Sequence, residues 1–287
     1  MMLKKLLRGL NQKSKKLGYQ RTMLHILKKA GAGLQVINKD RELKSVLKND
    51  PVIVVADHTA QTDAITLIAA QEHRQDGHLV ISSNFLGVLP NLDKHLIPVY
   101  INHRQLNKAD KFRFLTKLFR KIHWSRDYSV KVSHQKNIES IKKATLIVKK
   151  GGMVSMCPGG GGINGQWFSG IGYLINGALA NKKTKIVMAY LEGNSVWDYA
   201  RLIPGVSVIM PKFRVTFSLP ESIANYEGME PKEITENLKN KYDQFVLSFP
   251  KQIGWWKRIA NKIPTIPENA YYFTRVLILW IMVRTTS

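Results

Sequence analysis

The chain has 287 residues, room for one large α/β domain with appendages, and its 44% apolar content supports a packed core. Forty-four Lys and Arg against 20 Asp and Glu give a charge of +24, which calls for anionic partners: nucleic acid, an anionic membrane surface, or acidic substrates and carriers. The lone Cys157 excludes an intrachain disulfide and a Cys-based zinc site, and no run reaches the ~18 apolar residues of a membrane span.

Residues 1–30 contain no acidic residue. Leu3, Leu6, Leu7 and Leu10 recur at helical spacing with Lys4, Lys5, Arg8 and Lys13 on other faces. Gly18 interrupts the pattern, and Met23, Leu24, Ile26 and Leu27 resume it beside Arg21, Lys28 and Lys29. Two basic amphipathic helices are predicted, suited to a membrane interface because apolar contact and attraction to anionic lipid account for both faces. A helical hairpin packed on the domain with a solvated basic face is the alternative. Lys4, Lys5 and Arg8 break the apolar run that a signal peptide needs, so the chain reads as intracellular.

The α/β pattern starts near residue 46. The unbroken apolar run Val52–Ala56 predicts a strand buried on both faces of a parallel sheet, followed by a helix over 61–73. Strands are expected at 79–82 and 97–101, with loop or short helix over 84–95, which Gly87 and Pro90 break. Helices are expected at 108–124 and 134–150, then a strand at 153–156 and a helix at 171–180 whose Gly172 and Gly177 imply close packing. A strand at 186–191, edge strands at 206–209 and 214–217, and a helix over 231–248 opened by Pro231 complete the pattern. Strands alternating with helices predict an α/β fold: a mostly parallel sheet flanked by helices, with an N-terminal amphipathic helical pair. The expected divisions are a membrane-contact segment at 1–45, the α/β domain at 46–220 and a C-terminal segment at 221–287. In the last of these, Trp255, Trp256, Lys257 and Arg258 look interfacial, and the apolar run 276–283 is too short to span a bilayer.

Three features could carry chemistry. His58 ends the approach from the first buried strand, and Asp63 follows five positions on. A histidine just outside the helix can fold back to that carboxylate, making a general base of fixed tautomer. Taken alone, the pair also suits a helix-capping histidine and a solvated aspartate. The run Cys157, Pro158, Gly159, Gly160, Gly161 and Gly162 follows a strand, where glycines let backbone N–H groups approach an anion or oxyanion. Gly160, Gly162 and Gly165 match a dinucleotide fingerprint, but Asn181, Lys182 and Lys183 stand where its acidic residue belongs, and no Lys-Ser/Thr ending makes a phosphate loop. Cys157 reads as a small core residue rather than a thiol nucleophile. Finally, Arg104 after His103 suits bidentate binding of phosphate or carboxylate, or a surface salt bridge.

Taken in order over 52–191, these pieces resemble the glycerophospholipid acyltransferase family, which includes the enzymes acting on lysophosphatidic acid. Its first block, Asn-His, four residues and Asp, is matched by Asp57, His58 and Asp63, with Asp for Asn. Its second ends in a strand and an arginine that binds the acceptor's phosphate, matched by 97–104 with Arg104. Its third, Phe-Pro-Glu-Gly-Thr-Arg-Ser before an aromatic residue and glycine, is matched by 157–163 and then Trp167, Phe168, Ser169 and Gly170. Its fourth, an apolar strand usually containing proline, is matched loosely by 186–190. The third block departs: Gly159 replaces its glutamate and Gly162 its arginine, so two groups that position a phosphorylated acceptor are missing.

The resemblance implies an O-acyltransferase at the cytoplasmic face of the membrane, peripheral or monotopic. It would move a fatty acyl group from acyl-CoA or acyl carrier protein to a hydroxyl of a lysolipid-like acceptor, with neither metal nor cofactor. His58 would be the base, Asp63 its orienting partner, Arg104 the holder of an anionic group, and the backbone of Gly159 to Gly162 an oxyanion site. Anionic lipids are expected partners. Nucleic acid is not, because no recognition motif accompanies the charge. The alternatives are a non-catalytic lipid-binding protein on the same fold and a basic nucleic-acid-binding protein.

Overall fold

The computed structural model describes residues 2–58, 60, 62–100, 128–159, 165–194, 198, 201, 207 and 210–249. The N-terminal pair is α1 (Met2–Leu17) and α2 (Tyr19–Lys29), parted at Gly18, whose φ of 74° only glycine adopts without strain. The chain continues through β1 (Leu34–Ile37), α3 (Arg41–Asn49), β2 (Val52–Ala56) and α4 (Asp63–Ala70). β3 (Gly77–Ser82) and β4 (Leu96–Val99) follow, joined by 3-10 turns at Ser83–Phe85 and Pro90–His95. Then come α5 (Val130–Lys149), β5 (Met153–Met156), α6 (Gly170–Ala178), β6 (Lys185–Glu192), β7 (Phe213–Phe217), β8 (Glu221–Ser222) and α7 (Pro231–Leu247).

One sheet runs β1-β7-β6-β2-β5-β3-β4, with β8 beside the start of β6. Neighbours are parallel except where β7 and β8 meet β6. The fold is therefore α/β with a mostly parallel sheet flanked by helices and an N-terminal helical pair. β2 lies between β5 and β6, and all five of its residues are buried. Ile53 and Val55 face a core built with α5, α6 and α7, while Val52, Val54 and Ala56 face α3 and α4. Alternate side chains of one strand thus serve two cores, which is why the run had to be apolar throughout. The parallel strands β2, β5, β3 and β4 end on one edge, where ligands of open α/β sheets bind.

Two elements were not evident in the sequence pattern. β1 and α3 lie within 1–49, so the sheet begins before residue 46, and β1 is held by parallel pairing with β7. α3 did carry a legible signal: Asp40 accepts from Leu43 N at 2.8 Å as its N-cap, and Leu43, Val46 and Leu47 form its buried stripe. At the other end, Ile234, Leu238 and Tyr242 of α7 belong to the same core as β2, so this part of the C-terminal segment is integral to the domain. Of the strand expected at 206–209 only Ser207 is described, and it is helical. The helix expected at 108–124 and the tail from residue 250 lie outside the described residues.

α2 uses its apolar stripe inward. Tyr19, Met23 and Leu27 are buried against Ile68 and Ala69 of α4, and Gln20 Nε2 donates to Ala69 O at 3.0 Å. The basic residues Arg8, Lys13, Lys15, Lys16, Arg21, Lys28 and Lys29 remain exposed. Among the described residues no helix is long and apolar enough to cross a membrane.

The expected close packing of α6 is pronounced. A Cβ at Gly172 would fall 1.7 Å from Pro231 O and 2.6 Å from Thr235 Oγ1, at the first turn of α7. Gly172→Ala is expected to destabilise the domain by about 3 kcal/mol, read as a lower urea midpoint at unchanged slope, because the clash is with backbone that cannot repack locally.

His95 joins the N-terminal pair to the sheet: its ring stacks on Tyr19 with centroids 5.1 Å apart, and Nδ1 lies 2.8 Å from Gly77 O. Burial holds its pKa below the usual 6.5, helped by the nearby positive charges of His78, Lys94 and His73. A depressed histidine contributes stability that is complete above its unfolded pKa and is lost as pH falls through the interval below it. The urea midpoint should therefore fall as the pH is lowered below about 6.5, and His95→Phe should flatten that dependence.

Candidate active site

β2 delivers Asp57 and His58 at its carboxyl end, and α4 opens five residues beyond the histidine with Asp63. His58 is outside the helix, and its Nδ1 lies 3.3 Å from Asp63 Oδ2. Asp63 is 0% exposed and His58 33% exposed, so the pair combines a buried carboxylate with a reachable imidazole. The same Oδ2 takes the N–H of Ala60 at 2.6 Å, and a negative charge is well placed at a helix N-terminus. A carboxylate only accepts, so it selects the tautomer with the proton on Nδ1 and leaves Nε2 to take a proton from a substrate.

The turn between them is anchored from a distance. Thr62, immediately before Asp63, donates its hydroxyl to Asp198. Asp198 Oδ1 accepts from Arg201 Nε at 3.1 Å, and Arg201 Nη2 reaches Gly193 O at 3.2 Å and Pro211 O at 2.7 Å. The guanidinium lies 4.2 Å from the centroid of the Phe213 ring. Asn194 Nδ2 reaches the hydroxyls of Thr62 and Thr66, both at 3.1 Å.

Asp57 is held from the opposite face. Its N–H donates to the Tyr242 hydroxyl at 3.1 Å, and that hydroxyl donates to Ala189 O at 3.3 Å. Burial pushes the Tyr242 phenol far above its usual range, so it keeps the proton it donates. One carboxylate oxygen of Asp57, Oδ1, accepts from His58 N at 3.0 Å. Across from it stands Gly159, after β5: a Cβ there would lie 2.8 Å from Asp57 Oδ1 and 3.3 Å from Trp167 Cδ1. Trp167 in turn packs on Tyr242 with ring centroids 5.1 Å apart.

The structure thus brings His58, Asp63 and Gly159 to neighbouring strand ends. Gly160, Gly161, Gly162 and Arg104 lie outside the described residues. Cys157 packs among the core residues between the sheet and α3 and α4. Burial, and then the negative charges of Asp63 and Asp57, push its thiol far up, so it supplies no thiolate near neutral pH. Among the described residues no group of three or more His, Cys, Asp or Glu side chains could hold a metal ion.

No protein-family model matches the chain, and no curated protein does. Among solved structures, it is similar to the crystal structure of the 1-acyl-sn-glycerophosphate (LPA) acyltransferase PlsC from Thermotoga maritima. The TM-score is 0.43 at 13% sequence identity, over 84% of each chain. A likeness at that level leaves the chemistry to be read from this chain's own residues.

Sequence reasoning missed Tyr242 and the Asp198–Arg201 pair. Tyr242 is 185 positions from Asp57, and Asp198 is 136 from Thr62, so no local pattern joins them. The one available hint was Tyr242 itself, an aromatic with a polar tip on the apolar stripe of α7, which needs a hydrogen-bond partner when buried.

Proposed function

We propose that the protein is an O-acyltransferase that moves a fatty acyl group from a thioester, acyl-CoA or acyl carrier protein, to a hydroxyl of a lysolipid-like acceptor at a membrane surface. The observation that carries this reading is the His58–Asp63 pair, a buried carboxylate holding a reachable imidazole at the carboxyl end of β2. The ordered resemblance of the blocks around it to the glycerophospholipid acyltransferases supports the same chemistry.

The acceptor oxygen attacks the thioester carbonyl carbon while His58 Nε2 takes its proton, and Asp63 stabilises the imidazolium that forms. As the tetrahedral intermediate collapses, the carbon–sulfur bond breaks and the imidazolium returns the proton to the departing thiolate. Backbone N–H groups of Gly159 to Gly162 are assigned to the oxyanion, and Arg104 to an anionic part of acceptor or donor. The protein works at the cytoplasmic face as a peripheral or monotopic protein. The exposed lysines and arginines of α1 and α2 favour anionic lipid. Phe85 and Leu86, 42% and 36% exposed in the loop after β3, add an apolar contact at the edge that carries His58.

The test supplies purified protein with labelled acyl-CoA or acylated carrier protein, a panel of lysolipids, and vesicles with and without anionic lipid. Acyl transfer by the wild type, with flotation on anionic vesicles, is the expected result. Flotation without transfer from either donor would replace this reading with a non-catalytic lipid-binding protein. Salt-dependent binding to RNA or DNA without flotation would replace it with a nucleic-acid-binding one.

A further inference from the structure

Asp57 is the carboxylate that the proposed transfer does not use. It is half-buried, sits between β2 and the base, and uses Oδ1 to accept the His58 N–H at 3.0 Å. It also crosses to the neighbouring strand end: the bare Cα of Gly159 leaves space that Asp57 Oδ1 occupies, 2.8 Å from where a Cβ would be. Its negative charge and that of Asp63 both bear on the Cys157 thiol after β5, which places the two carboxylates on the same patch of the sheet edge. Among the described residues no lysine or arginine pairs with Asp57. Residues 157–170, the stretch that includes Gly159, hold no charged residue. In a chain of +24 this is, among the described residues, a local reversal of sign next to the group that activates the acceptor.

Resting on the acyl-transfer reading, we infer that Asp57 selects the acceptor. Its carboxylate favours a lipid alcohol with a hydrogen-bond donor, a second hydroxyl or an ammonium, beside the reacting hydroxyl, and disfavours a phosphate there. A hydroxyl or ammonium donates a charge-assisted hydrogen bond to a carboxylate. A phosphate only accepts and repels it, and at this partly dry edge the repulsion is weakly screened. Gly159 is the permissive partner, because any side chain there would push the carboxylate off the His58 N–H.

The test uses the full chain, octadecanoyl-CoA and octadecanoyl carrier protein as donors, and three acceptors differing in one group: 1-O-octadecylglycerol, its 3-amino analogue and its 3-phosphate. Acylation at the middle hydroxyl is read as kcat/KM. The wild type should prefer the hydroxyl or amino acceptor over the phosphate, the two arms showing which donor is recognised. Asp57→Asn keeps an oxygen for the His58 N–H and removes the charge. It should shift the preference towards the phosphate by about 10- to 100-fold.

A wild type that prefers the phosphate overturns the inference, and so does an Asp57→Asn protein with an unchanged ratio. Loss of all transfer in a folded Asp57→Asn protein, judged by circular dichroism, also overturns it, since Asp57 would then only position His58. If that variant does not fold, the wild-type ranking decides alone. Failure of the wild type with every acceptor and both donors is a different result, and it removes the acyl-transfer reading itself.

Discussion

Replacing His58 with Ala is expected to lower the rate of acyl transfer by about 10³-fold while leaving thermal stability nearly unchanged. The side chain is a third exposed and, among the described residues, its ring hydrogen-bonds to Asp63 Oδ2, so its removal takes away the base and little packing. Asp63→Asn distinguishes a base of chosen tautomer from a merely nearby histidine. The amide has nearly the same shape, but one oxygen, Oδ2, serves both the Ala60 N–H and Nδ1. An amide puts there either an uncharged, weaker acceptor or an NH2 donor, so the support for imidazolium is lost and the tautomer preference is weakened or reversed. A loss on the order of 10²- to 10⁴-fold in kcat, with a smaller change in KM, is the expected signature. The measurement is initial-rate kinetics with a labelled thioester under saturating and limiting acceptor. Wild-type-like transfer by His58→Ala would sink the mechanism.

The second large effect belongs to a pair that touches no substrate. Asp198 and Arg201 are both nearly inaccessible, with side chains 2% and 3% exposed, and each satisfies the other through the 3.1 Å contact of Nε to Oδ1. Asp198→Ala would leave the guanidinium, among the described residues, with the carbonyls of Gly193 and Pro211 and the Phe213 ring but no counter-charge, and would take from Thr62 the carboxylate it donates to. Removing one partner of a buried pair strands the other charge, so a loss of about 3–5 kcal/mol of unfolding free energy is expected. Arg201→Met alone should cost a similar amount. The double replacement should cost clearly less than the sum, because no charge is then stranded. Urea denaturation of the four proteins of the cycle gives the coupling directly. Since Thr62 precedes Asp63, any variant that remains folded should also transfer acyl groups more slowly, through misplacement of the carboxylate rather than loss of a reacting group.

These two predictions differ in how legible their residues were. His58 and Asp63 could be paired from the sequence because their geometry is local: a strand end, a short turn and a helix start bring residues five apart together. β2 and β5 were equally legible, since burial on both faces leaves an apolar run in the residues themselves, whereas in α5 the apolar Ile138 and Leu146 are exposed and Ser140, Ala144 and Val148 are buried in their place. α3 was written in the sequence too, through its Asp40 cap and its Leu43, Val46 and Leu47 stripe, but its shortness hid it.

What the chain by itself determined is its class, the run of strands and helices that makes an α/β sheet, and the base that such a sheet presents at one edge. Only the tertiary structure decided what surrounds that base. The Tyr242 hydroxyl under Asp57, the Asp198–Arg201 pair behind Thr62, and the carboxylate of Asp57 lodged against Gly159 join residues 185, 136 and 102 positions apart. The physical reason is that hydrogen bonds and excluded volume act over a few ångströms in space, while periodicity records only neighbours along the chain. β1 shows the same divide on the scale of the fold: four residues with little pattern of their own became a strand because β7 offered a free edge to pair with.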